Sequence, residues 1–473
     1  LVLAVVTNFV LQWPGARVAD WALSWFYDPG AVLKADALLE KGYVPTEDFG
    51  YTHGLLPLVL ARVAFRLLGR APWTYLALTL ALEVVMAWGL ARVLHATRAG
   101  WRTVALLMCL VPVAVMPAYL TLTHVLEATL MLLALADVAE RKYPRALAIL
   151  AACAFVKPSM AYVAGALLVT WITLRERGAL GRSLLSAAGA WVGLGAVLVA
   201  WFGLAPVVRT MVPLTGSRAY ASTGFGLLSS GRAFWLRESV GDYLFTPAGA
   251  WLVCVMVTTW AAFRVAWRMR PRDWGTRETV LVGVAVMHGA FLLAFYGWTG
   301  SWTHYAYMPV LGVVLATGGW LERWHRGRGA VVALGALAMC GNLEVARQLA
   351  DDWRYKVPAP GGLWAYREQW EEWERALEPL RGKRGVVMSH GFPADLPDGV
   401  ERLDTWFPEP GIPTPTEMNR ALAQVEAAGA VVLWNEYVHL SPWSTPVFQH
   451  LHARARVVYQ GTYLTTLALD RAP

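Results

Sequence analysis

The sequence predicts a polytopic α-helical membrane protein with a small C-terminal α/β domain outside the bilayer. Three observations carry that fold class. The 473 residues are 57% hydrophobic and 16% charged, where a soluble domain carries about 25% charged residues. The apolar residues fall in runs of roughly 16 to 24, the length that crosses a bilayer core. The composition also changes at Asp351: 12 Lys and Arg stand against 16 Asp and Glu from there on, compared with 29 against 17 before it. The apolar runs are too long and too continuous for barrel strands, so the spans are helices that satisfy their backbone groups internally.

The elements follow in order. Leu1 to about Trp13 reads as the end of a first span. The chain begins at Leu1 rather than Met, so a short N-terminal piece is expected ahead of it, and the first apolar run has no small-residue cleavage site, so it reads as retained. Pro14 to His53 is polar and dense in ionisable groups: Asp28, Asp36, Glu40, Glu47, Asp48 and His53. Asp36 and Glu40, four apart, read as one exposed helical face. Leu55 to Leu68 is a short apolar stretch, and Arg62, Arg66 and Arg70 recur every four residues along it. It reads as a helix lying in the membrane interface rather than crossing, which makes 14–72 one outer loop.

That choice sets the topology. Spans are expected at about 73–94, 103–119, 122–139, 146–157, 159–174, 184–204, 244–263, 278–297, 303–320 and 330–349. The basic clusters then share one side: Arg92, Arg98 and Arg102; Arg141, Lys142 and Arg145; Arg175, Arg177 and Arg182; Arg264 to Arg277; Arg323 to Arg328. The positive-inside rule places them in the cytoplasm and gives about eleven spans, N-terminus in and C-terminus out. The opening loop, a second large loop at 205–243 and the tail fall on the other side. The basic excess is thus topology signal and contact with membrane lipids, not nucleic-acid binding. Cys109, Cys153, Cys254 and Cys340 all sit in apolar runs without metal-ligand spacing.

Beyond the membrane domain, 1–350, the tail 351–473 opens with a charge-rich helical pattern from Trp353 to Pro379. Short β-like runs follow at Gly385–Ser389, Ala430–Trp434, Val457–Gln460 and Tyr463–Leu469, with helical patterns at Thr416–Ala428 and Thr445–Arg454 between them. The segment 356–362, KVPAPGG, reads as a hinge.

The opening loop resembles the first extracytoplasmic loop of the GT-C superfamily of glycosyltransferases, among them the protein O-mannosyltransferases and the aminoarabinose transferases of lipid A. The matching residues are Asp28 after the first span, Ala35 to Gly42, Tyr43, Pro45, Asp48-Phe49, Tyr51, Pro57-Leu58 and Leu67-Leu68-Gly69. Asp28 is followed by Pro29 where relatives often carry a second acid. Phe155-Val156-Lys157-Pro158, Thr123-His124 to Glu127, and Ser301 to Pro309 match further family elements in kind. The resemblance implies a GT-C-like fold and transfer, with inversion, of a sugar from a polyprenyl-phosphate donor to a glycan, glycolipid or protein acceptor. The expected location is the bacterial inner (plasma) membrane, with the active site extracytoplasmic.

Such chemistry needs a base near the membrane surface and positive charge for the leaving phosphate. Asp28 is the candidate base, a partly desolvated carboxylate being the stronger one, with Asp48 behind it as the second catalytic candidate, though Asp before Pro also caps a helix. Asp48 and Glu47 could orient the acceptor, or Asp48 could share a divalent cation with Asp28; a solvated turn after Pro45 is the plain alternative. Lys157 is the candidate for the donor phosphate, or a snorkelling side chain. Arg218 and Arg232 of the second outer loop, with His304 and Tyr305, are further phosphate candidates. His124 and Glu127, three apart, could bind acceptor or sugar together with His53, or simply hydrogen-bond each other.

Two other classes compete. A transporter or flippase would place ionisable groups near the middle of its spans and show related halves; the acidic residues here cluster in an outer loop, and no internal repeat is visible. A non-catalytic glycan-assembly protein would have no use for Asp28 and Lys157 together.

Overall fold

The computed structural model describes residues 28–104, 106–107, 122–212, 247–295, 307–323, 356–359, 363–388, 396–405, 414–435 and 446–469. The chain divides into two compact units. One comprises residues 1–9, 79–198 and 225–347; the other comprises 10–78, 199–224 and 348–473.

The first unit is helical. Its described elements belong to helices Pro72–Ala96, Leu122–Ala139, Tyr143–Cys153, Pro158–Arg175, Arg177–Phe202, Pro247–Arg268, Thr276–Phe295 and Tyr307–Arg323. Three described helices are long and apolar enough to cross a membrane: Trp73–Ala96, Leu122–Ala139 and Arg177–Phe202. Leu122–Ala139 is buried along nearly its whole length. Small residues allow close approach between helices, the packing device of membrane bundles. A Cβ at Gly312 would collide with Thr258, and one at Gly318 with Thr103.

Tyr143–Cys153 has 11 residues, a rise of about 16 Å, roughly half a bilayer core. Pro158 starts the next helix, and the turn at 154–157 joins the two. Ion pairs fix this segment alongside Leu122–Ala139 at both ends. At one end Arg145 donates to Asp137 Oδ2 at 2.5 Å and Oδ1 at 2.8 Å; at the other, Lys157 Nζ lies 3.6 Å from Glu127 Oε2. Arg92 adds the neighbouring helix to the first cluster, bonding Glu140 at 2.9 and 2.8 Å and pairing with the fully buried Asp137. Part of the basic signal near Arg92 and Arg145 thus serves to neutralise Asp137 and Glu140.

The second unit joins the opening segment to the tail. Helix Asp28–Glu40 ends at Gly42, whose φ of 83° is one that a residue without Cβ adopts freely. Gly42 N–H donates to Leu39 O at 3.1 Å and Tyr43 N–H to Leu38 O at 3.1 Å, closing the helix end. A tight turn at 45–49 leads to helix Leu56–Leu68, which has 13 residues and rises only about 20 Å, too little to cross a bilayer core.

The basic stripe on Leu56–Leu68 is not uniformly turned to solvent. Arg62 is buried and donates to Asp36 Oδ1 at 3.0 Å and Asp36 O at 3.2 Å. Asp36 is itself buried and is reached again by Arg70 at 3.4 Å, while Glu40 is exposed and paired with Arg70. The expectation of an exposed Asp36 is therefore corrected. Spacing of four showed that Asp36 and Glu40 share a face, but Arg62, 26 residues away, turns the Asp36 end of that face inward. Burial pushes the Asp36 carboxyl up against the pull of the two arginines.

In the tail, strands β1 (Lys356–Ala359) and β2 (Leu363–Tyr366) pair antiparallel. The segment read as a hinge thus contributes one arm of a hairpin, since Pro358 and Ala359 pair with Trp364 and Leu363. The helix that follows is confined to Arg367–Leu377. The main sheet holds β3 (Gly385–Met388), β4 (Val400–Arg402), β5 (Ala430–Trp434), β6 (Ala455–Gln460) and β7 (Leu464–Leu469), in the order β4-β3-β5-β7-β6. β3 runs parallel to β4 and β5, and β7 runs antiparallel to β5 and β6. Helices Pro415–Glu426 and Pro446–Arg454 connect the strands. Buried Glu372 accepts from Tyr463 N–H at 2.6 Å and Leu464 N–H at 2.7 Å, which offsets the cost of its burial.

Candidate active site

Asp28 is the first residue of helix Asp28–Glu40, so its backbone stands where a helix start exposes N–H groups; its side chain lies outside the described residues. The helix behind it is firmly held. Ala31, Val32, Leu33, Ala35 and Leu38 are buried, and Asp36 is bonded to Arg62.

The Asp48 turn is tight for stated reasons. Thr46 takes a φ of 65°, Thr46 N–H donates to Phe49 O at 2.7 Å, and Asp48 N–H to Val44 O at 2.8 Å. Asp48 Oδ2 accepts from Val44 N–H at 2.8 Å, so one of its carboxylate oxygens closes its own turn. Glu47 is exposed, and Arg209 lies 3.8 Å from it while donating to Thr46 O at 3.1 Å. Phe49 and Tyr51 are buried, and the Tyr51 and His53 rings meet edge-on at 5.9 Å. Arg209, at the start of the 205–243 segment, therefore touches the opening turn.

In the helical unit Lys157, His124 and Glu127 converge. Lys157 Nζ lies 3.2 Å from His124 Nδ1 and 3.6 Å from Glu127 Oε2, and His124 Nδ1 lies 3.8 Å from the same oxygen. Glu127 is 1% exposed and His124 5%, so an ammonium is held beside an acid with little water to screen it. Lys157 owes its place to the 154–157 turn and to Pro158, which starts the next helix and keeps the preceding residue extended. The cluster occupies the end of Leu122–Ala139 remote from Arg141, Lys142 and Arg145. Sequence reasoning found all three residues but assigned Lys157 to phosphate and the other two to acceptor. The structure makes them one group, a grouping that a separation of 33 residues hides.

Arg218, Arg232, His304 and Tyr305 lie outside the described residues. Among the described residues, no set of three or more His, Cys, Asp or Glu side chains could hold a metal ion. Asp48, with one oxygen committed to Val44, and Asp28 would supply two protein ligands, so water or substrate would have to complete the shell of a divalent cation.

No protein-family model matches the chain, and no curated protein matches it in sequence. Its fold resembles the crystal structure of ArnT from Cupriavidus metallidurans bound to undecaprenyl phosphate, with a TM-score of 0.53 and 14% identity over 98% of this chain and 96% of that one. The likeness is one of fold, and it spans nearly the whole chain.

Proposed function

We propose that this protein is an inverting membrane glycosyltransferase that uses a polyprenyl-phosphate sugar on the extracytoplasmic side. The observation that carries the reading is the fold shared with a protein solved bound to undecaprenyl phosphate, over 98% of this chain. Lys157 beside buried His124 and Glu127 supports it, because a lipid phosphate needs a fixed cation at the membrane edge.

The roles follow from the chemistry. Asp28 takes the proton of the acceptor hydroxyl as its oxygen attacks the anomeric carbon. The bond from that carbon to the phosphate oxygen breaks, and its electron pair leaves with the polyprenyl phosphate. Lys157 stabilises the charge gathering on that phosphate, and Glu127 and His124 hold the ammonium in place. Arg218, Arg232, His304 and Tyr305 are further phosphate ligands. Glu47, Asp48 and His53 bear on acceptor or sugar, with Asp48 also keeping its turn closed. A divalent cation, if bound, adds charge near the phosphate; no step requires it.

The test is a panel of polyprenyl-phosphate sugars incubated with purified protein, with donor consumption as the readout. Wild type is expected to consume at least one donor, and Lys157→Ala to lose about tenfold to a hundredfold in kcat/KM, the worth of one hydrogen bond to a charged group. Consumption of no donor by a folded wild type would overturn the reading.

A further inference from the structure

The tail is bonded to the opening segment within one compact unit, and the bonds are directional. Helix Pro415–Glu426 starts in a capping box: Thr414 Oγ1 accepts from Glu417 N–H at 3.1 Å, and Glu417 Oε2 accepts from Thr414 N–H at 3.2 Å. The same Oε2 accepts from Gly50 N–H at 2.7 Å, across 367 residues, and Glu417 is wholly buried. Less than one turn further, Arg420 donates to Asp48 O at 2.9 Å and Asp404 O at 3.0 Å. Its guanidinium carbon stands 3.7 Å from the Tyr43 ring centre. Lys41 reaches Asp404 Oδ1 at 2.5 Å, and buried Lys34 donates to Leu403 O. Five positions between Lys34 and Gly50 are thus tied to the tail, two of them through their own main chain.

A domain merely tethered to the membrane unit would need none of these bonds. An apolar contact would hold the two segments together without fixing the turn's path. Main-chain bonds from Glu417 and Arg420 fix where the 43–50 turn runs, and the ties to Lys34 and Lys41 fix the helix before it.

We propose that the tail is the positioning element for the opening acidic segment, with Arg420 and Glu417 as positioning residues. They hold the 43–50 turn and, with the Lys34 and Lys41 contacts, the helix that begins at Asp28. This rests on the reading of Asp28 as the base. Neither residue touches substrate; they act on the rate because displacing a reacting group by about 1 Å costs about a hundredfold.

The experiment uses the full chain in detergent and reads donor turnover and amide hydrogen exchange. Arg420→Ala is expected to lower kcat by about tenfold to a hundredfold with donor KM changed less than about threefold. Exchange across Tyr43–Gly50 should quicken while Ala430–Trp434 keeps its protection. Glu417→Gln, which still closes a capping box, should keep at least about half the turnover, and Glu417→Ala should behave like Arg420→Ala. If Arg420→Ala loosens Ala430–Trp434 as well, Tyr43→Leu removes the ring contact from the opening side, leaves the Arg420 bonds to Asp48 O and Asp404 O, and is expected to give a smaller kcat loss in the same direction with the tail protected. Unchanged exchange at Tyr43–Gly50 in these variants would overturn the grip, whatever the enzyme activity. Quickened exchange with kcat within about twofold of wild type would overturn the positioning role. A wild type without turnover would sink the assignment of function and leave the exchange result standing.

Discussion

Lys34→Met is expected to remove a pH dependence from the opening unit. Lys34 is 3% exposed. Burial pulls its pKa from 10.5 down to about 7, against the opposing pull of Asp404. The unfolded chain, titrating near its ordinary value of about 10.4, keeps a proton that the folded protein releases above about pH 7. Stability therefore rises with pH between about 7 and 10, by about 1.4 kcal/mol per unit. Below about pH 7 both states are charged, and the full cost of burying the ammonium, about 5 kcal/mol at most, persists. Methionine has no proton to lose and similar length. The assay is hydrogen exchange across Ala31–Leu39, corrected for intrinsic rates, at about pH 7.5 and about pH 9.5. Wild-type protection is expected to gain about 2.7 kcal/mol over that interval relative to the variant. Leu403 O loses its donor in the variant, a cost of about 1–3 kcal/mol at both pH values that is set against the relieved burial of the ammonium and leaves the difference in slope intact. Equal slopes would refute the buried-ammonium account.

Other outcomes follow from the same contacts. Asp36→Leu alone takes the carboxylate from the buried Arg62 guanidinium, leaving it the Asp36 main-chain oxygen, and is expected to cost about 3–5 kcal/mol, while Asp36→Leu with Arg62→Met recovers most of it, as a double-mutant cycle of thermal unfolding would show. Hydrogen bonds from Arg92 hold Glu140 down at about 2, so their stabilisation is full above about pH 4.5 and lost as pH falls toward 2. Arg92→Leu should therefore lower the Tm at neutral pH, and the gap to wild type should narrow under acid titration. Gly312→Ala drives a methyl into Thr258 and is expected to destabilise the helical unit by about 1–3 kcal/mol, with Thr258→Gly restoring expression and Tm.

Much of the architecture was legible because it depends on local signals. Apolar run lengths located Leu122–Ala139 and Pro158–Arg175 within a residue or two. Short β-branched runs bounded by glycine and proline located β3, β5, β6 and β7. The three-residue β4 carries too little pattern to read, and β1 was masked by the prolines and glycines of its hairpin. The candidate residues stood out by type, while their partners were hidden. Nothing near Lys34 or Gly50 in sequence announces Leu403 or Glu417, and the acidic spacing of Asp36 and Glu40 says nothing of Arg62. Partners that close a site are chosen by tertiary packing, so their spacing along the chain is arbitrary.

Asp28 is proposed as the base of a polyprenyl-phosphate-dependent sugar transfer. The most direct measurement is transfer by wild type and Asp28→Asn with the donor found in the panel, alongside donor binding and hydrogen exchange across Ala31–Leu39. The variant is expected to bind donor within about threefold of wild type, to keep its exchange protection, and to lose transfer by at least about a hundredfold, the scale of a general base. Full transfer by a folded Asp28→Asn protein would contradict it.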